Sequence, residues 1–137
     1  MAAATSIIRA NQIVSAAVDR ALRPLNLTFA RYEVLMLLRF ARTGALPMTK
    51  VGERLMVHPT GVTKLVDKLE HDLLVRREPN PDDRRGVLVR ITASGRRLTA
   101  RASRAVAAIS FGVDLDDADL RTLITVLERF RERSGDF

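Results

Sequence analysis

Cysteine is absent from all 137 residues. Without a thiol the chain can form no disulfide, no thiolate nucleophile, no Cys-ligated zinc site and no switch that works by thiol oxidation. Tryptophan is absent too, and the aromatics amount to five Phe and one Tyr. A core must therefore be built from Leu, Val, Ile and Ala, a composition that leans towards helix. No run approaches the roughly 20 apolar residues that span a bilayer. The N-terminus shows no charged segment leading into an apolar one, which predicts a cytoplasmic chain with no membrane partner. Gly-rich phosphate loops, H-E-x-x-H and G-x-S-x-G are all missing, so nothing points to catalysis. His58 and His71 have no Cys to join them in a metal site; His58 reads as a helix cap and His71 as a solvated residue.

What the chain does have is arginine, 20 residues against three lysines, for a formal net charge of +7. It is unevenly placed. Residues 49–101 carry 12 basic and seven acidic side chains, whereas residues 112–137 carry four basic and seven acidic. A basic middle and an acidic end suggest a surface that faces a polyanion and a separate part with another task; solvated helix faces would give the same numbers. A length of 137 residues with 47% hydrophobic content fits one folded domain over 1–137 with a single core.

Apolar residues Ile7, Ile8, Val14, Ala17, Val18, Ala21 and Leu22 recur at helical spacing and predict a first helix from Ser6 to about Leu22, closed by Pro24. Thr28 caps a second helix with Phe29, Val34, Leu35, Leu37, Leu38 and Ala41 inward and Gly44 as its stop. A short third helix fits Thr49–Met56. Pro59 then presets φ at the start of a fourth, which runs to about His71 with Val62, Leu65, Val66 and Leu69 as its buried stripe. Val75–Glu78 and Val87–Ile91 read as strands around a turn rich in Pro, Asn and Asp. Thr92 caps a fifth helix to about Ser110. Asp116 caps a sixth to about Arg133, with Leu120, Leu123, Ile124, Leu127 and Phe130 on its apolar face.

Helix, turn, helix and then a hairpin form an arrangement suited to double-stranded DNA. The fourth helix has a greasy side to hold it to the body and a polar N-terminal side, Thr60, Thr63 and Lys64, whose hydroxyls and ammonium suit base edges in a major groove. Lys68, one turn on, and Arg54 suit phosphates. The hairpin carries Arg76, Arg77, Arg84, Arg85 and Arg90, a set that would supply phosphate neutralisation. Arg84 and Arg85 at the tip suit a narrow minor groove. Arg85 has a second, structural role open to it: pairing with Asp83 to hold the shape of the tip. The two roles are compatible.

The run DDRRGVLVRITASGRRL resembles the wing of the MarR (multiple antibiotic resistance regulator) family: Asp-x-Arg, a short strand, Leu/Ile-Thr, then Gly-Arg opening the next helix. Asp83, Arg85, the strand Val87–Ile91, Thr92, Gly95 and Arg96 match, and GVTKLVDKLE is similar to that family's recognition helix. The resemblance is strong over residues 48–98. It implies a mainly α fold with a small β-hairpin wing, a winged helix-turn-helix over about 28–98, and dimerisation helices at about 5–24 and 99–134. A homodimer would bury Ile7, Ile8 and Val14 against Leu120, Leu123, Leu127 and Phe130, and would read a pseudo-palindromic operator. It also implies a ligand-responsive repressor with no cofactor and a small aromatic or phenolic effector, for which Tyr32 and Met36 are pocket candidates, core packing being the other reading of both. One departure stands out: glycine is expected after the recognition helix, but the chain has Asp72-Leu73-Leu74, so either Asp72 takes a left-handed conformation there or the helix ends without that cap. Two rival readings are a winged helix that binds protein rather than DNA and a small helical enzyme.

Overall fold

The structure, a computed structural model, describes residues 1–136. Alanine-rich sequence starts helix α1 at Ala2 rather than Ser6, and α1 runs to Leu22 before a 3-10 turn at Arg23–Leu25. Helix α2, Phe29–Phe40, begins at Thr28, whose hydroxyl accepts from the Arg31 amide, as the capping pattern indicates. Asp19 of α1 accepts from the Phe29 amide at 2.6 Å and so ties the two helices together at this corner. Strand β1 is Ala45–Pro47, followed by α3, Met48–Leu55, and α4, Pro59–His71. Strands β2, Val75–Asn80, and β3, Asp83–Ile91, form the wing, and helices α5, Ala93–Ala107, and α6, Asp117–Arg133, complete the chain.

The sheet is antiparallel in the order β1-β3-β2. β1 was not expected from the sequence. It pairs Ala45 with Arg90 and Pro47 with Leu88, so the wing is anchored on a third strand from the helix-turn-helix side. β3 also starts earlier than Val87, at Asp83, which shortens the turn. α5 ends at Ala107 rather than near Ser110, where a 3-10 turn with Phe111 at φ 53° breaks the helix.

One continuous core holds these elements. Val18 and Leu22 of α1, Val34, Leu35 and Leu38 of α2, Val51 of α3, Val66 and Leu69 of α4, Val75 and Val89 of the wing, and Ala102 and Val106 of α5 are all buried together. Each such Leu cut to Ala costs about 2–5 kcal/mol, so this shared core keeps reading helix and wing in one fixed relation. Tyr32 belongs to it: its hydroxyl lies 3.0 Å from Ser103 Oγ, which in turn donates to Met36 Sδ at 3.5 Å.

The join between α4 and the wing corrects the expectation for Asp72. The left-handed residue is Leu73, at φ 60°, while Asp72 stays at φ −82°. Leu74 N donates to Leu69 O and Leu73 N to Glu70 O, both at 2.9 Å, which is the paired hydrogen bonding of a Schellman cap. Leu69 and Leu74 are both buried, supplying the apolar contact that accompanies it. The geometry usual for glycine is thus kept by a leucine that is 74% exposed and packs little. Leu73→Gly should therefore raise stability by about 1 kcal/mol by removing the Cβ strain of a left-handed residue. The urea midpoint at fixed protein concentration tests this; an unchanged or lower midpoint would show that Leu73 is not strained.

Candidate nucleic-acid interface

Two glycines let α3 and α4 pack at close range. A Cβ on Gly61 would lie 2.8 Å from Val57 Cγ1, and one on Gly52 would lie 3.1 Å from Val62 Cγ2. Met56, left-handed at φ 52°, ends α3 and turns the chain. His58 caps α4: its Nδ1 accepts from the Thr60 amide at 3.2 Å. With Val62, Val66 and Leu69 buried, Thr60, Thr63, Lys64 and Lys68 all stand on the exposed side of α4.

The exposed set is not uniform. Lys64 and the Thr60 hydroxyl have no hydrogen-bond partner among the described residues. The Thr63 hydroxyl donates to Pro59 O at 3.1 Å, which leaves its lone pairs and methyl for a base edge but not its hydrogen. Lys68 meets Asp72 at 3.0 Å, an exposed i,i+4 pair of little net worth that a phosphate can displace. Arg54 does not join this group. It is exposed at the end of α3 and lines a cleft of about 350 Å3 with Glu33, Met36, Leu37, Phe40 and Leu55. Met36 therefore edges open space, whereas Tyr32 is buried at 3% and edges none of it. Half-buried Glu33 has its carboxyl pushed above its ordinary value by desolvation.

In the wing, pairing runs regularly from Val75↔Ile91 to Pro79↔Val87 and then jumps to Asn80↔Asp83. Arg84, Arg85 and Gly86 thus form an irregularity in the ladder with no residues paired opposite them, at the far end of the wing. Asp83 holds the bulge, but through the backbone: its Oδ1 accepts from the Arg85 amide at 2.9 Å. The expected Asp83–Arg85 side-chain pair is replaced by this amide contact. Both guanidinium groups at the tip are exposed and without a partner among the described residues.

The other three wing arginines have acidic partners: Arg77 and Arg90 are tied down by several contacts, whereas the exposed Arg76–Glu78 pair, like Lys68–Asp72, can give way to a phosphate. Arg77 bonds Glu70 at 2.7 Å and Asp67 at 2.5 Å, bracing the wing against α4. Burial works against the Arg77 charge, but its hydrogen bonds to Asp67 and Glu70 outweigh it and hold its pKa above the ordinary value. Glu78 takes both Arg90, at 2.9 Å, and Arg76, at 2.8 Å. Arg90 also donates to Thr43 O at 2.7 Å, clamping the wing to the loop before β1. These partners were missed because Asp67, Glu70 and Glu78 come close to the arginines only once the hairpin lies beside α4.

The Arg90 hydrogen bond, with help from Arg76, holds the Glu78 carboxyl below its ordinary value of 4.5. A folded-state pKa below the unfolded one gives stability that is present above the unfolded value and lost as pH falls through the folded one. The wing should accordingly loosen as pH drops below 4.5, and Glu78→Gln should flatten that part of the stability–pH curve. Urea midpoints at neutral pH and well below pH 4.5 check this; an unaltered curve in the variant would remove Glu78 from the account.

Comparison with known proteins places this geometry. A model described as "MarR family" matches residues 27–87. The fold matches the crystal structure of Sco5413, a MarR family transcriptional regulator from Streptomyces coelicolor, with a TM-score of 0.93 and 46% identity, covering 100% of this chain and 96% of that one. This chain belongs to the MarR family. It is similar also to the HTH-type transcriptional regulator YhbI of Bacillus subtilis, 29% identical over 123 residues, 83% of this chain and 79% of that protein. A mutant MarR from E. coli complexed with operator DNA matches with a TM-score of 0.83 and 27% identity, over 93% of this chain and 91% of that one. As a MarR-family member the chain is a DNA-binding transcriptional regulator, not an enzyme, with a mainly helical winged helix-turn-helix fold. Among the described residues no helix is long and apolar enough to cross a membrane, and no cluster of His, Asp or Glu could hold a metal.

Proposed function

We propose that this MarR-family regulator works as a cytoplasmic homodimer that reads a pseudo-palindromic operator and represses transcription by occupying it. The observation that carries this is α6. It has no buried residue, and Leu123, Ile124, Val126 and Phe130 are exposed on it; Ile7, Ile8 and Ile13 are exposed on α1. Apolar surface of this extent on two terminal helices calls for a partner. A second copy supplies a self-complementary one under two-fold symmetry. Leu120 and Leu127, half-buried already, edge the same face, whereas Val14 is packed within the chain, its backbone against Gly112. The division of labour is then a DNA-reading lobe over about 28–98 between pairing segments at about 5–24 and 99–134.

In each subunit Thr60, Thr63 and Lys64 face base edges, Lys68 faces phosphate, and Arg84 and Arg85 enter the neighbouring minor groove. Arg54, standing apart on α3, takes a flanking phosphate. A small aromatic or phenolic effector has a cleft of suitable size and lining where Met36 and Phe40 meet Arg54. Such a ligand would release DNA by shifting the population of half-site spacings rather than by blocking a groove.

Selection of genomic fragments that bind the purified protein, with sedimentation of the complex, tests the proposal. Inverted repeats with half-site centres about 10 bp apart, and two chains per duplex, are the expected result. A single asymmetric site bound by one chain would contradict it.

A further inference from the structure

Helix α5 carries four arginines and no acidic residue. Arg97, Arg101 and Arg104 are exposed and recur at spacings of four and three, so they form one stripe opposite the buried Thr99, Ala102 and Val106. The chain does not neutralise it. Arg97 donates only to Ser94 Oγ, at 3.1 Å, and Arg101 and Arg104 have no partner among the described residues. Like charges at these spacings repel, and Arg97 stands in the first turn, where the helix dipole disfavours a cation. A stripe of this kind calls for an anion from outside.

The operator is badly placed to be that anion. Thr92 ties the start of α5 to Leu73 O, at 2.8 Å, and to Leu74 O, at 3.1 Å, just past the C-terminal end of α4. Thr60 lies at the other end of that helix, about 20 Å away at 1.5 Å per residue and more than two screening lengths at physiological salt. Arg84 and Arg85 are likewise at the end of the wing remote from α5. α5 leads instead to the turn at Ser110–Gly112, where Gly112 lies against Val14 and Ala17 of α1. A matching set of charges begins directly after that turn. Residues 114–119 hold four aspartates and no base. Asp116 is occupied as the cap of α6, but the carboxylates of Asp114, Asp117 and Asp119 are exposed and without a partner among the described residues.

We propose that the acidic start of α6 in one copy seats on the α5 arginine stripe of the other, with Asp117 and Asp119 facing Arg101 and Arg104 at two symmetry-related places. This rests on the homodimer proposed above and adds a charged contact to its apolar one. Charge complementarity supports it, and so does continuity, since the helix that begins with these aspartates goes on to expose Leu123, Ile124 and Phe130. The apolar face supplies association. The charges fix which end of α6 meets α5, and so set the register of the two subunits.

Two charge-reversed proteins test this, Arg101→Glu/Arg104→Glu and Asp117→Lys/Asp119→Lys, with dimer dissociation followed by sedimentation and folding by circular dichroism. Each alone should dissociate about 100-fold more readily than the parent, because attraction turns to repulsion at both contacts. Mixed in equal amounts they should form a heterodimer of nearly parental affinity, since each reversed α5 then meets a reversed α6. The parent dimer should itself weaken as salt is raised, which an apolar contact alone would not do.

Parental dimerisation by either variant alone, a mixture no tighter than its components, or a parent dimer indifferent to salt would overturn the assignment. So would an α5 variant that stays dimeric but binds DNA more weakly and with a smaller salt slope, which would give the stripe to phosphate. A parent that sediments as a monomer would instead overturn the homodimer on which the assignment rests.

Discussion

Replacing Arg84 and Arg85 together by alanine should lower operator affinity by about 10²–10³-fold, because in the proposed dimer each guanidinium would make a charge-assisted contact from both subunits. The slope of log affinity against log salt should fall by about 3–4, near 0.9 for each of the four charges removed. Thermal stability should hardly move. The two side chains have no partner among the described residues, and the bulge is held by Asp83 through the Arg85 amide, which alanine retains. Arg90→Ala should do the opposite: it breaks contacts to Glu78 and to Thr43 O, so it loosens the wing first and DNA binding only in consequence. Fluorescence anisotropy across a salt series, with thermal melts of the same samples, separates the two patterns. Unchanged affinity and slope in the double variant would mean that the wing does not enter a groove.

Gly95→Ala should have the largest effect on stability of any single methyl. A Cβ at this position would sit 2.1 Å from Leu74 O and 2.8 Å from Ile91 Cγ1. Neither neighbour can give way freely. Leu74 O accepts from Thr92 N at 3.0 Å and from Thr92 Oγ1 at 3.1 Å, and that same Oγ1 accepts from Gly95 N at 3.0 Å as the N-cap of α5. Moving Leu74 therefore disturbs the end of α4, the start of α5 and the base of the wing together. A loss of about 3 kcal/mol is expected, combining overpacking with damage to a cap. Urea denaturation reads it directly; a variant as stable as the parent would show that α5 does not approach Leu74 so closely.

The parts of this architecture that depend on neighbours in sequence were legible without a structure. Thr28, Thr92 and Asp116 cap the helices they precede, and His58 caps α4, because capping needs only an acceptor two or three residues before a free amide. The buried stripe of α4 follows from its period. What could not be read depends on contacts distant in the chain. β1 is three residues ending in proline, and it becomes a strand only because β3 passes beside it. The commitment of Arg76, Arg77 and Arg90 to acidic partners has the same origin. It narrows a natural reading, in which every arginine of a basic hairpin is free for phosphate. Intrinsic preference offers Asp72 as the left-handed residue after α4, yet the Schellman hydrogen bonds put Leu73 there, so the geometry of the cap overrides preference. The proposed partner of α6 is a second copy, and among the described residues only an uncovered apolar face points to one.

Hydroxyl-radical footprinting of a selected operator fragment tests the central claim most directly, since the radical attacks deoxyribose from the minor groove. The account predicts two symmetric minor-groove protections flanking the half-sites, both lost in the Arg84→Ala/Arg85→Ala protein even at protein concentrations high enough to restore binding to the fragment. Protections that are unsymmetrical, or that survive removal of both arginines, would contradict it.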